Sequence, residues 1–285
     1  MEKFVIWCNN TADLPEEEIK KHRLNVLPLA ITIGDETYKD IPTVDFYEKL
    51  RAGAMPTTSA ANIGECKEAF EPVLRAGCDV LCLALSSQLS ATYDAFCMAA
   101  RELCEEYPGR KIYVVDTVSA STGEALLILK AAQMRDEGRS IEETRDWVEE
   151  NKRRVIHWFS VDDLKHLKRG GRISAATAAV GGMLNIKPIL HVEDDGRLAK
   201  VDKVRGRRQS LVYMADKLLG TIINPEEQVV YIPHGDCRDD AEWLKEQILR
   251  RVKVKEVVVH LVGPVIAAHT GAGIMALIYM GTRRG

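Results

Sequence analysis

The chain has 285 residues, 46% hydrophobic and 28% charged, with a formal net charge of −3. That balance fits a soluble globular protein with a sizeable core, in one large domain or two ordinary ones, and it gives no general pull toward nucleic acid. No apolar run reaches the roughly 18 residues of a membrane span, and the N-terminus lacks a signal-peptide pattern, so a cytoplasmic location is expected. Seven cysteines without a C-x-x-C pair suit reduced thiols; Cys78 and Cys82 read as small core hydrophobes rather than metal ligands.

Phe4 to Trp7 reads as a first short strand, followed by the polar turn Asn9–Pro15 and a helix start at Pro15-Glu16-Glu17-Glu18. A second strand region spans Asn25 to Ile33, Thr37 to Asp40 connects, and Val44 to Ala52 has helical spacing. The hydroxyl run Thr57-Thr58-Ser59 then precedes an amphipathic helix, Ile63 to Ala76. Such hydroxyls can cap the helix, or hold an anion where free N–H groups and the helix dipole meet.

Asp79 to Leu85 is apolar enough for a buried parallel strand, and Ser86-Ser87-Gln88-Leu89-Ser90-Ala91-Thr92 carries it into a helix through Leu103. The strand Ile112–Asp116, the loop Thr117–Thr122 and helices at Gly123–Glu137 and Ile141–Lys152 continue the alternation. Strands alternating with helices argue for a doubly wound, mostly parallel sheet whose loops gather at the carboxyl ends of the strands.

From Trp158 to Leu190 the sequence reads WFSVDDLKHLKRGGRISAATAAVGGMLNIKPIL. A short strand leads to helical turns at Leu164–Lys168, a break at Gly170-Gly171 between Arg169 and Arg172, and a small-residue helix, Ala175 to Leu184, capped by Ser174. Glycines allow close backbone approach, and the flanking arginines suit a carboxylate or phosphate. Spacing alone leaves a plain tight turn with solvated arginines equally open.

Beyond Leu190 the chain reads as a hairpin (His191 to Val201, turning at Asp194-Asp195-Gly196) and a basic cluster, Lys203-Val204-Arg205-Gly206-Arg207-Arg208. A helix (Ser210–Leu219), a strand (Gln228–Pro233), a helix (Asp239–Arg250) and a strand (Val254–Leu261) follow. A loop, Gly263 to Gly273, then precedes a last strand, Ile274 to Tyr279. No Pro/Gly/Ser linker marks a domain boundary, which is best placed near residue 155, between domains 1–155 and 156–285.

Val161–Ser174 (VDDLKHLKRGGRIS) and Leu184–Leu190 (LNIKPIL) resemble the signature of the DegV family, which includes the fatty-acid-binding subunits of bacterial fatty acid kinase. The resemblance extends to TADLP, to PTTS, to SSQLSATY, where Ala91 stands for the family's glycine, and to GPVIAAHTGAG; Asn9 stands where the family pattern has an acid. It implies an α/β fold: an N-terminal Rossmann-like domain, doubly wound and mostly parallel, and a second α/β domain, with the ligand between them. It also implies that Thr58, Ser90 and His269 hold an acyl carboxylate, and that a kinase catalytic subunit phosphorylates it to an acyl phosphate, a step linked to phospholipid metabolism. The chain would then be a non-catalytic carrier without cofactor or metal.

The residue types agree with that expectation. Thr57, Thr58 and Ser59, the loop of Ser90, and His269 supply small polar donors, and Arg172 adds a charge, which is what a carboxylate head requires. The acyl tail would supply most of the energy, at roughly 0.8 kcal/mol per buried methylene. The rival reading is a Ser90/His269 lipid or ester hydrolase, although no G-x-S-x-G and no orienting acid accompany the pair. Arg169, Lys203, Arg205, Arg207 and Arg208 are candidates for docking to the kinase, or for transient contact with anionic lipid. Aromatics are not interleaved with the cluster, which argues against nucleic acid.

Overall fold

A computed structural model describes residues 4–178, 185–282 and 284. In chain order the elements are β1 (Phe4–Asn9), α1 (Glu16–Lys21), β2 (Asn25–Leu27), β3 (Ile31–Ile33), β4 (Glu36–Tyr38), α2 (Thr43–Arg51), β5 (Thr57–Thr58) and α3 (Ile63–Arg75). Then come β6 (Asp79–Ala84), α4 (Thr92–Glu106), β7 (Ile112–Asp116), α5 (Thr122–Asp136), α6 (Ile141–Asn151) and β8 (Val155–Ser160). The remainder is α7 (Lys165–Arg169), α8 (Ala175–Ala178), β9 (Ile186–Val192), β10 (Leu198–Arg205), α9 (Arg207–Thr221), β11 (Val229–His234), α10 (Arg238–Leu249), β12 (Glu256–Leu261), α11 (Pro264–Thr270) and β13 (Met275–Met280).

The chain forms two compact units: one takes residues up to Ala30 and Ser59–Lys152, the other Ile31–Thr58 and everything from Arg153 onward. The later division falls between Lys152 and Arg153. The segment Ile31–Thr58 departs from a continuous split, because it joins the second unit. Its short strands form a separate antiparallel sheet, β4-β3-β5, and no linker composition marks where it begins or ends.

The first unit holds the expected parallel sheet, in the order β2-β1-β6-β7. Its central strand β6 is apolar because it is buried on both faces: Val80 to Ala84 are all fully buried. The strand order reverses between β1 and β6, so the loops leaving those two strands flank the crevice where open α/β sheets bind ligands. Ser90 lies on the loop after β6. The hydroxyl run does not cap α3. Asn62 does, accepting from Glu65 N–H at 3.0 Å while Glu65 accepts from Asn62 N–H at 3.1 Å, a reciprocal capping box.

The second unit is built on a mixed six-stranded sheet, β10-β9-β8-β13-β11-β12, in which only β11 and β12 run parallel. Helices α9 and α10 pack on it over a core that includes Ile189, Leu211, Met214, Leu244 and Leu277. The hairpin β9–β10 forms as expected. Gly263–Gly273, expected as a loop, contains α11: Pro264 starts it with a preset φ, and Gly271 at φ 76° ends it. Ser174 caps α8 by accepting from Thr177 N–H at 3.0 Å; the helix expected to run on to Leu184 lies, beyond Ala178, outside the described residues.

Candidate functional site

In the second unit three stretches far apart in sequence meet. Strand β5 presents Thr58, the last turn of α11 presents His269, and the turn after α7 presents Gly170. Thr58 Oγ1 and His269 Nε2 share a hydrogen bond of 2.7 Å. The two glycines of the central motif have separate duties. A Cβ at Gly170 would collide with Nδ1 of His269 and lie 3.1 Å from its Cε1, so only glycine leaves room for the imidazole. Gly171 takes a left-handed φ of 72° that turns the chain away from α7.

Arg169 pins this arrangement. Its guanidinium donates to the Pro56 carbonyl at 2.9 Å, to the Ala268 carbonyl at 3.3 Å and to Met55 Sδ at 2.7 Å. One side chain thus ties the approach to β5, the end of α7 and the body of α11 together, with a planar fork no lysine could supply. Arg172 is half-buried and donates to the Gly170 carbonyl.

Burial pushes the His269 pKa down to about 4, and the positive charge of Arg172, then Arg169, then His166, pushes the same way. The imidazole is therefore neutral at physiological pH. Burial likewise lowers Arg172 and His166. The site combines a neutral imidazole, a threonine hydroxyl and a positive surrounding field, a combination that favours an anion over a cation. Among the described residues no group of three or more His, Cys, Asp or Glu is arranged to hold a metal ion.

The other hydroxyls are sorted by the fold. Neighbouring residues on a strand face opposite ways, so Thr57 is exposed while Thr58 turns partly inward. Ser59 belongs to the first unit, where its N–H bonds the Ala30 carbonyl at 3.0 Å. The Thr270 hydroxyl bonds back to the Ile266 carbonyl at 3.0 Å within α11. Ser90, also in the first unit, is half-buried; its Oγ lies 2.9 Å from Thr92 Oγ1 and accepts from Thr92 N–H at 3.2 Å. Asn9 ties β1 to the end of β6 by accepting from Leu85 N–H at 3.4 Å.

The basic cluster divides as well. Lys203 and Arg205 are exposed on β10, an edge strand. Arg207 points inward, donating to Asp240 at 2.9 Å, to the Gly273 carbonyl at 2.8 Å and to Cys237 Sγ at 3.0 Å. Arg208 lies over the Trp243 ring, 4.4 Å from its centroid. Sequence reading missed the packing role of Gly170 and the internal bonds of Arg169 and Arg207; the paired glycines signalled the first, and nothing local signalled the others.

The family model "Uncharacterised protein, DegV family" matches residues 3–282. This chain belongs to the DegV family. A DegV domain-containing protein of Clostridium perfringens is 44% identical over 99% of this chain and 98% of its own length. A DegV-family protein from Thermus thermophilus, whose structure is described as fatty acid binding, superposes with a TM-score of 0.89 at 30% identity, covering 98% of this chain and 99% of that one. DegV of Bacillus subtilis, described as a fatty acid binding protein, gives a TM-score of 0.86 at 27% identity, over 99% of this chain and 100% of that one. The α/β fold with its parallel sheet and further mixed sheet is thus shared with DegV fatty-acid-binding proteins. Among the described residues no helix is long and apolar enough to cross a membrane.

Proposed function

We propose that this DegV-family chain binds a long-chain fatty acid, holds its carboxylate with Thr58 and His269, and presents it in the cytosol to a kinase subunit for conversion to an acyl phosphate. The observation that carries this reading is the 2.7 Å Thr58–His269 pair, set among positive groups and kept free of side-chain bulk by Gly170. Neutral donors orient a carboxylate without the desolvation cost of a buried full charge. The solved relatives described as fatty acid binding support the ligand class. Ser90 joins the binding residues on the strength of its motif, and Arg172 through its charge beside His269. Thr57 and Ser59, the residues on either side of Thr58, complete the proposed fatty-acid-binding set. The acyl chain occupies an apolar tunnel and supplies most of the affinity.

Binding is favoured over hydrolysis. A serine hydrolase orients its histidine with a carboxylate, whereas the charges acting on His269 are those of Arg172, Arg169 and His166, none of them acidic. The hydroxyl bonded to His269 is that of Thr58, and Ser90 Oγ is bonded to Thr92.

For the kinase, or transiently for anionic lipid, the exposed Lys203, Arg205 and Arg208 form the docking surface. Arg169 and Arg207 support it from within. Phospholipid metabolism is the proposed destination of the product. Displacement of a fluorescent fatty acid by palmitate, in the wild-type protein and in Thr58→Val and His269→Ala, tests the binding reading. Tight displacement by the wild type and weakened displacement by both variants support it; failure of the wild type to take up any long-chain acid overturns it. Lys203→Glu with Arg205→Glu should leave that affinity unchanged while lowering coupling to the kinase; a loss of acyl binding in that variant overturns the docking assignment.

A further inference from the structure

Thr92 opens α4 and is fully buried. Its Oγ1 has two neighbours: Ala61 N–H, which donates to it at 3.2 Å, and Ser90 Oγ at 2.9 Å. Ser90 Oγ in turn accepts from Thr92 N–H at 3.2 Å.

The proton between the two hydroxyls has two possible placements. If Ser90 donates to Thr92, then Thr92 Oγ1 accepts twice and its own proton must find another acceptor. Among the described residues Ser90 Oγ is the acceptor in reach, so that proton would be left buried and unbonded, a costly arrangement. If Thr92 donates to Ser90, the Thr92 hydroxyl, the Thr92 N–H and the Ala61 N–H are all satisfied. Ser90 Oγ then accepts twice, from Thr92 N–H and from Thr92 O–H, and the one proton left without an internal acceptor is that of Ser90. Ser90 is half-buried, so its hydroxyl proton can meet solvent or a ligand.

We propose that Thr92 is a positioning residue that fixes Ser90 as a hydrogen-bond donor toward a ligand's carboxylate, through the Thr92 Oγ1 to Ser90 Oγ hydrogen bond. This inference rests on the fatty-acid reading above. It adds that selection of acid over neutral head groups depends on a buried threonine that touches no ligand. A carboxylate accepts hydrogen bonds and donates none, so a serine locked as a donor favours it. A primary alcohol of the same chain length gains less, because its oxygen carries no charge.

The test is a pair of titrations, palmitate and hexadecanol, on wild type, Thr92→Val, Thr92→Ser, Ser90→Ala and the double variant Ser90→Ala/Thr92→Val, with a thermal melt on each. Thr92→Val keeps the shape and removes the hydroxyl. It should weaken palmitate by about tenfold, the loss expected for one hydrogen bond to a charged group, while hexadecanol changes less than about twofold. Thr92→Ser should bind palmitate like the wild type. In the Ser90→Ala background Thr92→Val should add no further loss, because the residue acts only through Ser90. If Thr92→Val does not fold, Thr92→Cys, a weak donor of similar size, carries the same comparison. Unchanged palmitate affinity in Thr92→Val, or equal loss of acid and alcohol, overturns the inference while leaving the functional reading in place. Failure of the wild type to bind any acid overturns both.

Discussion

The two units build their polar pairs differently. In the second unit the polar pair is a threonine and a histidine, and its character is set by environment: burial and neighbouring cations hold His269 neutral, with a pKa near 4, and a glycine clears the space beside it. In the first unit the pair is Ser90 and Thr92, neither of which titrates in any accessible range, and its character is set by hydrogen-bond bookkeeping alone. The first kind of site is sensitive to pH and to charge; the second is sensitive only to the loss of a partner. On the proposed reading, one carboxylate would meet a donor whose state depends on pH and another that is fixed.

The largest effect should come from the histidine. If His269 holds the carboxylate as proposed, His269→Ala removes a hydrogen bond to a charged group, and fatty acid affinity should fall by about 10- to 100-fold in calorimetry. A loss no larger than that of an exposed control such as Arg205→Ala would break the contrast. Gly170→Val should follow, because it drives side-chain atoms into the imidazole. Overpacking of this kind costs about 1–3 kcal/mol, and the variant should lose both stability and acid binding. Arg207→Ala and Arg205→Ala sharpen the division of the basic cluster. Arg207 holds α9 to Asp240 and to the Gly273 carbonyl, so its loss should lower the melting temperature by several degrees, whereas Arg205 should be silent in the same melt. Among the variants expected to change stability, Asn62→Ala should have the smallest effect, about 1 kcal/mol in denaturant, from loss of the capping box.

The pH dependence follows from the same contrast. His269 has a folded pKa of about 4 against an ordinary 6.5, so between those values the unfolded chain binds the proton more readily. The stability that His269 contributes as a neutral ring is present above pH 6.5 and is lost as pH falls toward 4. A bound carboxylate is an opposite charge and should raise the His269 midpoint, so acid binding takes up a proton in this window. NMR of the ring should show a midpoint near 4 without ligand and a higher one with palmitate. An unliganded midpoint at the ordinary 6.5 would contradict the electrostatic picture.

Much of this was legible in the sequence. The alternation of strand and helix from β1 to α6 reads out the parallel sheet because buried parallel strands are continuous apolar runs. The hydroxyl-bearing loops stood out because they interrupt those runs. Other features were hidden because they are decided by partners far along the chain. Nothing local tells that Ile31–Thr58 joins the second unit, that Arg207 turns inward to Asp240 while Arg205 stays out, or that Gly170 faces His269, 99 residues on. The cap of α3 is also written in the sequence, as Asn62 with Glu65 three residues later, beside hydroxyls that offer a competing cap the structure does not use. The helical form of α11 was masked by the flanking glycines: Gly263 precedes its first turn and Gly271 ends it.

The most direct test of the central claim is native mass spectrometry of the protein purified from a bacterial host, followed by denaturing extraction and fatty acid analysis. One long-chain fatty acid per chain is expected in the wild type, and less in Thr58→Ala and His269→Ala. A protein that emerges empty, and that takes up neither palmitate nor oleate when they are added, would contradict it.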